Sequence, residues 1–254
     1  MSLRIKTGWF GTYWGSILKV WQEDQIKVFL DIESEQALFE KLTHHARELG
    51  FDYCGYGLRM PLPVASPRLI MHSNYPAAWQ RRYVDCQYVE VDPTVQHGAR
   101  SLLPIVWSDD VFRPVRSLWE EARAFGLKHG WARSSRDANG VAGMLTVARS
   151  AEPLNENELQ HKGLMLDWLT QVAHMAMSHL IVPKLLPELA IGLSNREISV
   201  LRWTAEGKTA AEISDILAIA ERTVNFHINN TMIKLNASNK TAAAIRAAVL
   251  GLLH

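Results

Sequence analysis

Cysteine is nearly absent from this chain of 254 residues: only Cys54 and Cys86 occur, far apart and without CxxC spacing. That excludes a disulfide framework and a cysteine-based zinc site, and it fits free thiols in a reducing cytosol. Long apolar runs are missing as well. The longest suspect, "MAMSHLIVPKLL", is broken by Pro183 and Lys184, well short of the roughly 18 residues that a bilayer span needs. The first twelve residues lack the basic start, apolar core and small-residue cleavage site of a signal peptide. These absences predict a soluble, cytoplasmic protein with no membrane partner. An excess of one charge is also lacking: 27 Lys and Arg face 26 Asp and Glu, a formal net charge of +1. Such a balance neither demands nor excludes nucleic acid. Neither GxSxG nor HExxH occurs, so the chain carries no hydrolase elbow and no helical zinc pair. We expect no catalytic residues, no metal and no cofactor. Internal repeats and low-complexity tracts are absent too.

What is present is a large apolar fraction, 48% of residues, enough to build one large domain or two of ordinary size. "SEQALFEKLTHHARELG" reads as a helix capped by Ser34, with a stripe of Ala37, Leu38, Leu42, Ala46 and Leu49, and stopped by Gly50. "FDYCGYGLRMP" and "RLIMHS" read as strands, and "PIVW" as a short one. Pro76 suits a first helical turn, and "VRSLWEEARAFG" is a helix ending at Gly126. "HGWARSSRD" and "VAGMLTVARS", joined through Asn139-Gly140, predict a hairpin with a type I′ turn. Residues 155–180 form a long helix with Leu159, Leu166, Leu169, Val172, Ala173 and Ala176 on its apolar face. This order predicts an α+β fold: an antiparallel sheet between helical layers, an α/β/α sandwich. Pro183, Pro187 and Gly192 then mark a linker over 183–192, since a proline disfavours helix just before it.

After the linker, "TAEGKTAAEI" poses a choice between nucleotide and nucleic acid. Gly207-Lys208-Thr209 is the tail of a phosphate loop, but Arg202 stands where that loop needs its first glycine. Two capping boxes, Ser194 with Glu197 and Thr209 with Glu212, instead start two helices, with Gly207 ending the first. A tight turn at 218–220 leads to a third helix over 221–235 with Val224, Ile228 and Leu235 inward; Ile213, Ile216 and Leu217 form the inner face of the second. A fourth follows over 240–252. The four-helix pattern is helix-turn-helix geometry, in which the third helix enters the major groove. Arg222, Thr223, Asn225 and Asn229 lie off its core stripe and have the chemistry to read base edges. Lys208, Thr209, Lys234 and Lys240 have the chemistry to meet phosphates. Pattern alone leaves a plain helical bundle with a solvated polar face equally open.

The residues Glu197, Leu201, Gly207-Lys208-Thr209, Glu212-Ile213, Thr223-Val224, His227, Asn230 and Lys234-Leu235 decide it: the stretch resembles the DNA-binding domain of LuxR-type regulators. Ala220 stands where that family usually has a serine cap, and Met232 and Ile233 where it often has basic residues. His227 reads as a packed helix residue.

In the first half, "SNYPAAWQRRYVDCQYVEVDPTV" and "VWSDDVF" crowd Tyr75, Trp79, Tyr83, Asp92 and Trp107 together, with the first three spaced by four. Aromatic walls with a few polar groups suit a core or a small-molecule site. Here too the chain resembles the acyl-homoserine-lactone receptors among LuxR-type quorum-sensing regulators, from about residue 36 to the end. The resemblance implies that Trp79 donates to the lactone carbonyl, Tyr75 to the amide carbonyl, and Asp92 accepts from the amide N–H. It places Tyr83, Trp107 and Trp119 around the headgroup, with Thr146 and Gly55 where relatives often carry serine. Gly55, Met71, Met144 and Cys54 are expected near a roomy acyl tail site. The resemblance further implies a ligand-binding and dimerisation domain over 1–182, a DNA-binding domain over 193–254, a homodimer on pseudo-palindromic double-stranded DNA, and contacts with RNA polymerase or related regulators. A relative acting as repressor or by heterodimerising is the alternative. Residues 1–35 match poorly; Trp9, Trp14 and Trp21 there suggest packed sequence rather than a docking helix.

Overall fold

The structure is a computed structural model and describes residues 24–253. Trp9, Trp14 and Trp21 lie outside the described residues. After a short helix α1 (Asp24–Leu30), α2 (Glu35–Glu48) starts at Ser34, whose side chain accepts from the Ala37 N–H. Its buried stripe is Leu38, Phe39, Leu42 and Ala46, while Ala37 stays exposed. Strands β1 (Tyr53–Arg59) and β2 (Leu69–Ser73) follow, then α3 (Ala77–Asp85), α4 (Pro93–Arg100), β3 (Ile105–Val106) and α5 (Arg116–Ala124). Strands β4 (His129–Arg136) and β5 (Ala142–Arg149) lead into the long helix α6 (Glu156–Leu185). The five-stranded sheet has the order β2-β1-β5-β4-β3, with every neighbour antiparallel.

The two faces of this sheet take different partners. Cys54, Tyr56 and Leu58 of β1, with Leu145 and Val147 of β5, pack under α2 and α6 in the main apolar core. The alternate residues face α3, α4 and α5, as the two-residue period of a strand requires.

Two turns differ from the sequence reading. The β4–β5 connection is a three-residue loop in which only Gly140 has positive φ, +73°. The Asp137 N–H donates to the Val141 carbonyl, and the Asp137 carboxylate accepts from the N–H groups of Asn139 and Val141. That side-chain turn makes a type I turn with a glycine bulge rather than type I′. Helix α6 runs through Pro183 to Leu185. The proline falls in its last turn, where a missing N–H removes a single helical bond.

Helices α7 (Asn195–Ala205), α8 (Ala210–Leu217), α9 (Glu221–Lys234) and α10 (Lys240–Val249) complete the described chain. Both capping boxes form, at Ser194 with Glu197 and at Thr209 with Glu212. Gly207, at φ +82°, closes α7 in a conformation that side chains resist. Val200, Ile213, Val224 and Ile228 form one small core, and Leu201, Leu235, Ala243 and Ala247 another. Ile213 and Leu217 pack inside as expected, but Ile216 is 44% exposed, and Ile219 packs in its stead.

Candidate ligand-binding site and nucleic-acid interface

Between the sheet and helices α3, α4 and α5 lies a cavity of about 490 Å³. The strand register explains why this space lies between the layers. Three rows of cavity-facing positions cross β2, β1, β5 and β4: Ser73, Gly55, Thr146 and Ala132; Met71, Gly57, Met144 and Ser134; Leu69, Arg59, Ala142 and Arg136. In β1 two of the three positions are glycines, which leave the space that a side chain would fill. A Cβ on Gly57 would meet nothing within 4 Å.

One end of the cavity is polar. Tyr75 sits just before α3, held by Gln80 Nε2 donating to its carbonyl at 2.8 Å. Its hydroxyl lies 2.8 Å from where a Cβ on Gly55 would stand. Trp79 lies on α3, buried and against Tyr83, Tyr88 and Phe125. Arg82 clamps α3 to α5 with two 2.8 Å bonds to Glu121, whose carboxyl these bonds hold below the usual range. Asp92 caps α4: Oδ1 accepts from the N–H and hydroxyl of Thr94, at 2.8 and 2.7 Å, and Oδ2 accepts from the Tyr83 hydroxyl at 2.9 Å. Burial pushes the Asp92 carboxyl up, against those bonds pulling it down. It also raises the tyrosine hydroxyls of Tyr75 and Tyr83, and Asp92 adds to both shifts.

Among the described residues, the Trp79 N–H, the Tyr75 hydroxyl and the Thr146 hydroxyl have no hydrogen-bond partner, and all three residues line the cavity. The Trp107 N–H is buried and likewise unpaired. An unmade bond of this kind costs about 1–3 kcal/mol, so the cavity is built to receive polar groups at this end. Oδ2 of Asp92 has accepted one bond and keeps a second lone-pair direction.

The sequence-predicted set is thus largely brought together: Gly55, Met71, Tyr75, Trp79, Tyr83, Asp92, Trp107, Met144 and Thr146 all line the cavity. Trp119 does not. It stacks on Phe112 at 4.5 Å and donates to Asp109 at 2.6 Å, while Leu118 and Ala122 of the same helix face the cavity. One residue along a helix turns about 100°, which takes Trp119 out of the wall. Cys54 is also misplaced by the sequence reading: it faces the core, where burial pushes its thiol up to about 12. Sequence reasoning missed Thr94, Val95, Phe112, Leu127 and Ser134, and the two arginines Arg59 and Arg136. The opposite facing of Tyr56 and Gly57 was legible; the pairing of distant strands that sets these neighbours was not.

In the C-terminal helices, Arg222, Asn225 and Asn229 are exposed on α9, and Thr223 is half-buried near its start. Phe226, 59% exposed, shares their surface and was missed. Ala220 caps α9 without a side-chain bond. Lys240 is exposed at the start of α10, and Lys208 is paired with Glu212 at 3.2 Å. Lys234 is committed differently: its Nζ donates at 2.8 Å to Glu197, a buried carboxylate that also caps α7. Lys234 joins α9 to α7 before it can serve a phosphate. The His44 and His45 rings meet Glu48 at 3.4 and 2.8 Å, and among the described residues no cluster of three metal-ligating side chains exists.

Fold and cavity define a small-molecule sensing domain joined to a helix-turn-helix domain. Residues 34–177 match the autoinducer binding domain, and residues 192–247 match the luxR family of bacterial regulatory proteins. The chain is 50% identical to the transcriptional activator AnoR of Acinetobacter nosocomialis, over 93% of this chain and all of that one. It is 46% identical to the activator SolR of Ralstonia solanacearum, over 91% and 98%. A solved structure of Escherichia coli SdiA superposes with TM-score 0.79 at 34% identity, covering 93% of this chain and 99% of that one. The chain belongs to the LuxR family of quorum-sensing transcriptional regulators, with an autoinducer-binding and a DNA-binding domain. Its task is regulation of transcription, not catalysis.

Proposed function

We propose that the autoinducer of this protein is an N-acyl-homoserine lactone, and that its headgroup lies at the polar end of the cavity. The observation that carries this is the set of unpaired donors on Trp79, Tyr75 and Thr146 facing a buried acceptor, Asp92. The Trp79 N–H donates to the lactone carbonyl, the Tyr75 hydroxyl to the amide carbonyl, and Asp92 accepts from the amide N–H. Tyr83 orients Asp92 and Trp107 walls the headgroup. Each bond satisfies a group that has no partner within the protein, so ligand and domain stabilise one another. A SdiA structure at TM-score 0.76 holds octanoyl-rac-glycerol, which makes an acylglycerol the rival occupant to compare in any titration.

On this reading residues 1–182 bind ligand and dimerise, 183–192 link, their first three residues continuing α6, and 193–254 bind DNA. The homodimer sets two α9 helices about 34 Å apart on a pseudo-palindromic site. Arg222, Thr223, Asn225 and Asn229 read bases, Phe226 packs on a thymine methyl, and Lys208, Thr209 and Lys240 hold phosphates in the cytoplasm's salt. Contact with RNA polymerase or with related regulators follows from that position on DNA.

Fluorescence anisotropy with a pseudo-palindromic duplex and a scrambled one tests the DNA half. Asn225→Ala should weaken the specific complex by about 1–3 kcal/mol and leave the scrambled one unchanged. Equal losses on both duplexes would remove Asn225 from base reading.

A further inference from the structure

The far end of the cavity is not apolar. Its last row, Leu69, Arg59, Ala142 and Arg136, places one arginine on each side of Ala142, because Ala142 pairs with Arg59 in β1 and with Arg136 in β4. The two Cα atoms are therefore about two strand spacings, or roughly 9.5 Å, apart. Between them stands only a methyl group, so a chain end lying over Ala142 has an arginine on each side. Both arginines line the cavity and are exposed. Among the described residues neither guanidinium has an ion-pair or hydrogen-bond partner, in contrast to Arg133 and Arg149, which are paired with Asp167 and Glu158. From the Gly55 row to the Arg59 row is four residues of strand, about 13 Å, or the length of an extended chain of about ten carbons. The path between runs over Gly57, Met71 and Met144, which present no charge.

We propose that Arg59 and Arg136 form a second polar subsite that selects an acyl chain ending in a carboxylate. The ligand class is a medium-length ω-carboxyacyl amphiphile, held by its headgroup at one end of the cavity and by an oxyanion at the other. The inference rests on the headgroup reading given above. Planar guanidinium groups present paired donors that match a carboxylate, and their positive charge opposes a cation at the same place. Because both arginines are exposed, solvent weakens the attraction and salt screens it. The effect is selectivity on top of the headgroup bonds.

The test uses three homoserine lactones on a ten-carbon chain, ending in methyl, carboxylate or ammonium, titrated against the full chain. A butanoyl lactone too short to reach Ala142 serves as the reference for the headgroup alone. The carboxylate should bind at least as tightly as the methyl form and about tenfold more tightly than the ammonium form. That gap should narrow at 1 M salt. The double variant Arg59→Gln, Arg136→Gln should close it to within about twofold while leaving the butanoyl lactone unchanged. Tighter binding of the methyl form than of both charged forms would mean that the arginine stems only cover the tail, and would overturn the proposal. So would a gap that survives the double variant. Failure of every lactone, the butanoyl one included, would overturn the headgroup reading and this one with it. Butanoyl binding without end-group selectivity overturns this one alone.

Discussion

The two faces of one sheet behave as two different materials. On the helix face, Tyr56, Leu58, Leu145 and Val147 are at most 2% exposed, sealed by α2 and α6. On the other, the alternate positions of the same strands are Gly55, Gly57, Ala142, Met144 and Thr146, and a cavity remains. Strand, register and backbone are shared, so the difference comes from side-chain volume at every second residue. A close-packed interior tolerates few voids, so a face kept open beside one packed tight is a place reserved for an occupant. Stability without ligand should therefore come mainly from the helix face, and stability gained with ligand from the cavity face.

The largest effect should come from breaking the sealed face. Leu145→Ala removes a fully buried side chain and should cost about 2–5 kcal/mol. Chemical denaturation should show the same loss with and without autoinducer. A loss confined to the ligand-bound protein would mean that the two faces are not separate.

Filling the open face should act the other way. A Cβ at residue 57 would meet no atom within 4 Å, and Gly57→Leu extends from there into the cavity, so the unliganded protein should keep its stability. The chain-length series should change, since each methylene that no longer fits forfeits about 0.8 kcal/mol. Long acyl chains should lose melting-temperature shift and short ones keep theirs. Gly55, which the sequence suggested for this role, is the wrong glycine: a Cβ there presses on the Tyr75 hydroxyl at 2.8 Å and so disturbs the headgroup for every chain length. Equal losses across the series for Gly57→Leu would show that the tail does not run along β1.

The smallest effect should come from the C-terminal end of β5, the central strand, where charge rather than volume stabilises. The hydrogen bond from Arg149, then that from Lys162, lowers the Glu158 carboxyl to about 2 from its ordinary 4.5. A folded-state value below the unfolded one contributes stability above about pH 4.5, and that contribution is lost as pH falls toward 2. Glu158→Gln should flatten the decline of melting temperature over that acid range without changing ligand response at neutral pH. An unchanged acid slope would assign the decline to other carboxylates.

Much of this molecule is legible in its sequence where the signal is local. Ser194 with Glu197 and Thr209 with Glu212 are each three residues apart, and both capping boxes form as read. Trp79 and Tyr83, four apart, do share a helical face, and Tyr75 reaches the same cavity from the residue before α3's proline cap. Legibility ends where distant segments meet. Lys234 looked like a free cation because its partner Glu197 is 37 residues away. Arg59 and Arg136 become neighbours only through β5. Trp119 is placed in the wall by resemblance alone, which carries over an aromatic position but not the side of α5 that bears it. The Asn139-Gly140 turn was read from its dipeptide, whereas Asp137, two residues earlier than Asn139, sets the turn type.

On the proposed reading, the open face binds an acyl-homoserine lactone through the Trp79 N–H and Asp92. Thermal melting of the wild type, Trp79→Phe and Asp92→Asn, each with and without a decanoyl-homoserine lactone, tests it most directly. Without ligand, Trp79→Phe should lose only the packing of the deleted ring atoms against Tyr83, Tyr88 and Phe125, because its indole N–H has no partner among the described residues, so each variant's ligand-induced shift is read against its own unliganded melting point. With ligand, the wild type should melt markedly higher, and Trp79→Phe should lose about 1–3 kcal/mol of that stabilisation, with Asp92→Asn also reduced. If both variants keep the full ligand-induced shift, the headgroup does not lie between Trp79 and Asp92, and the account of the cavity is wrong.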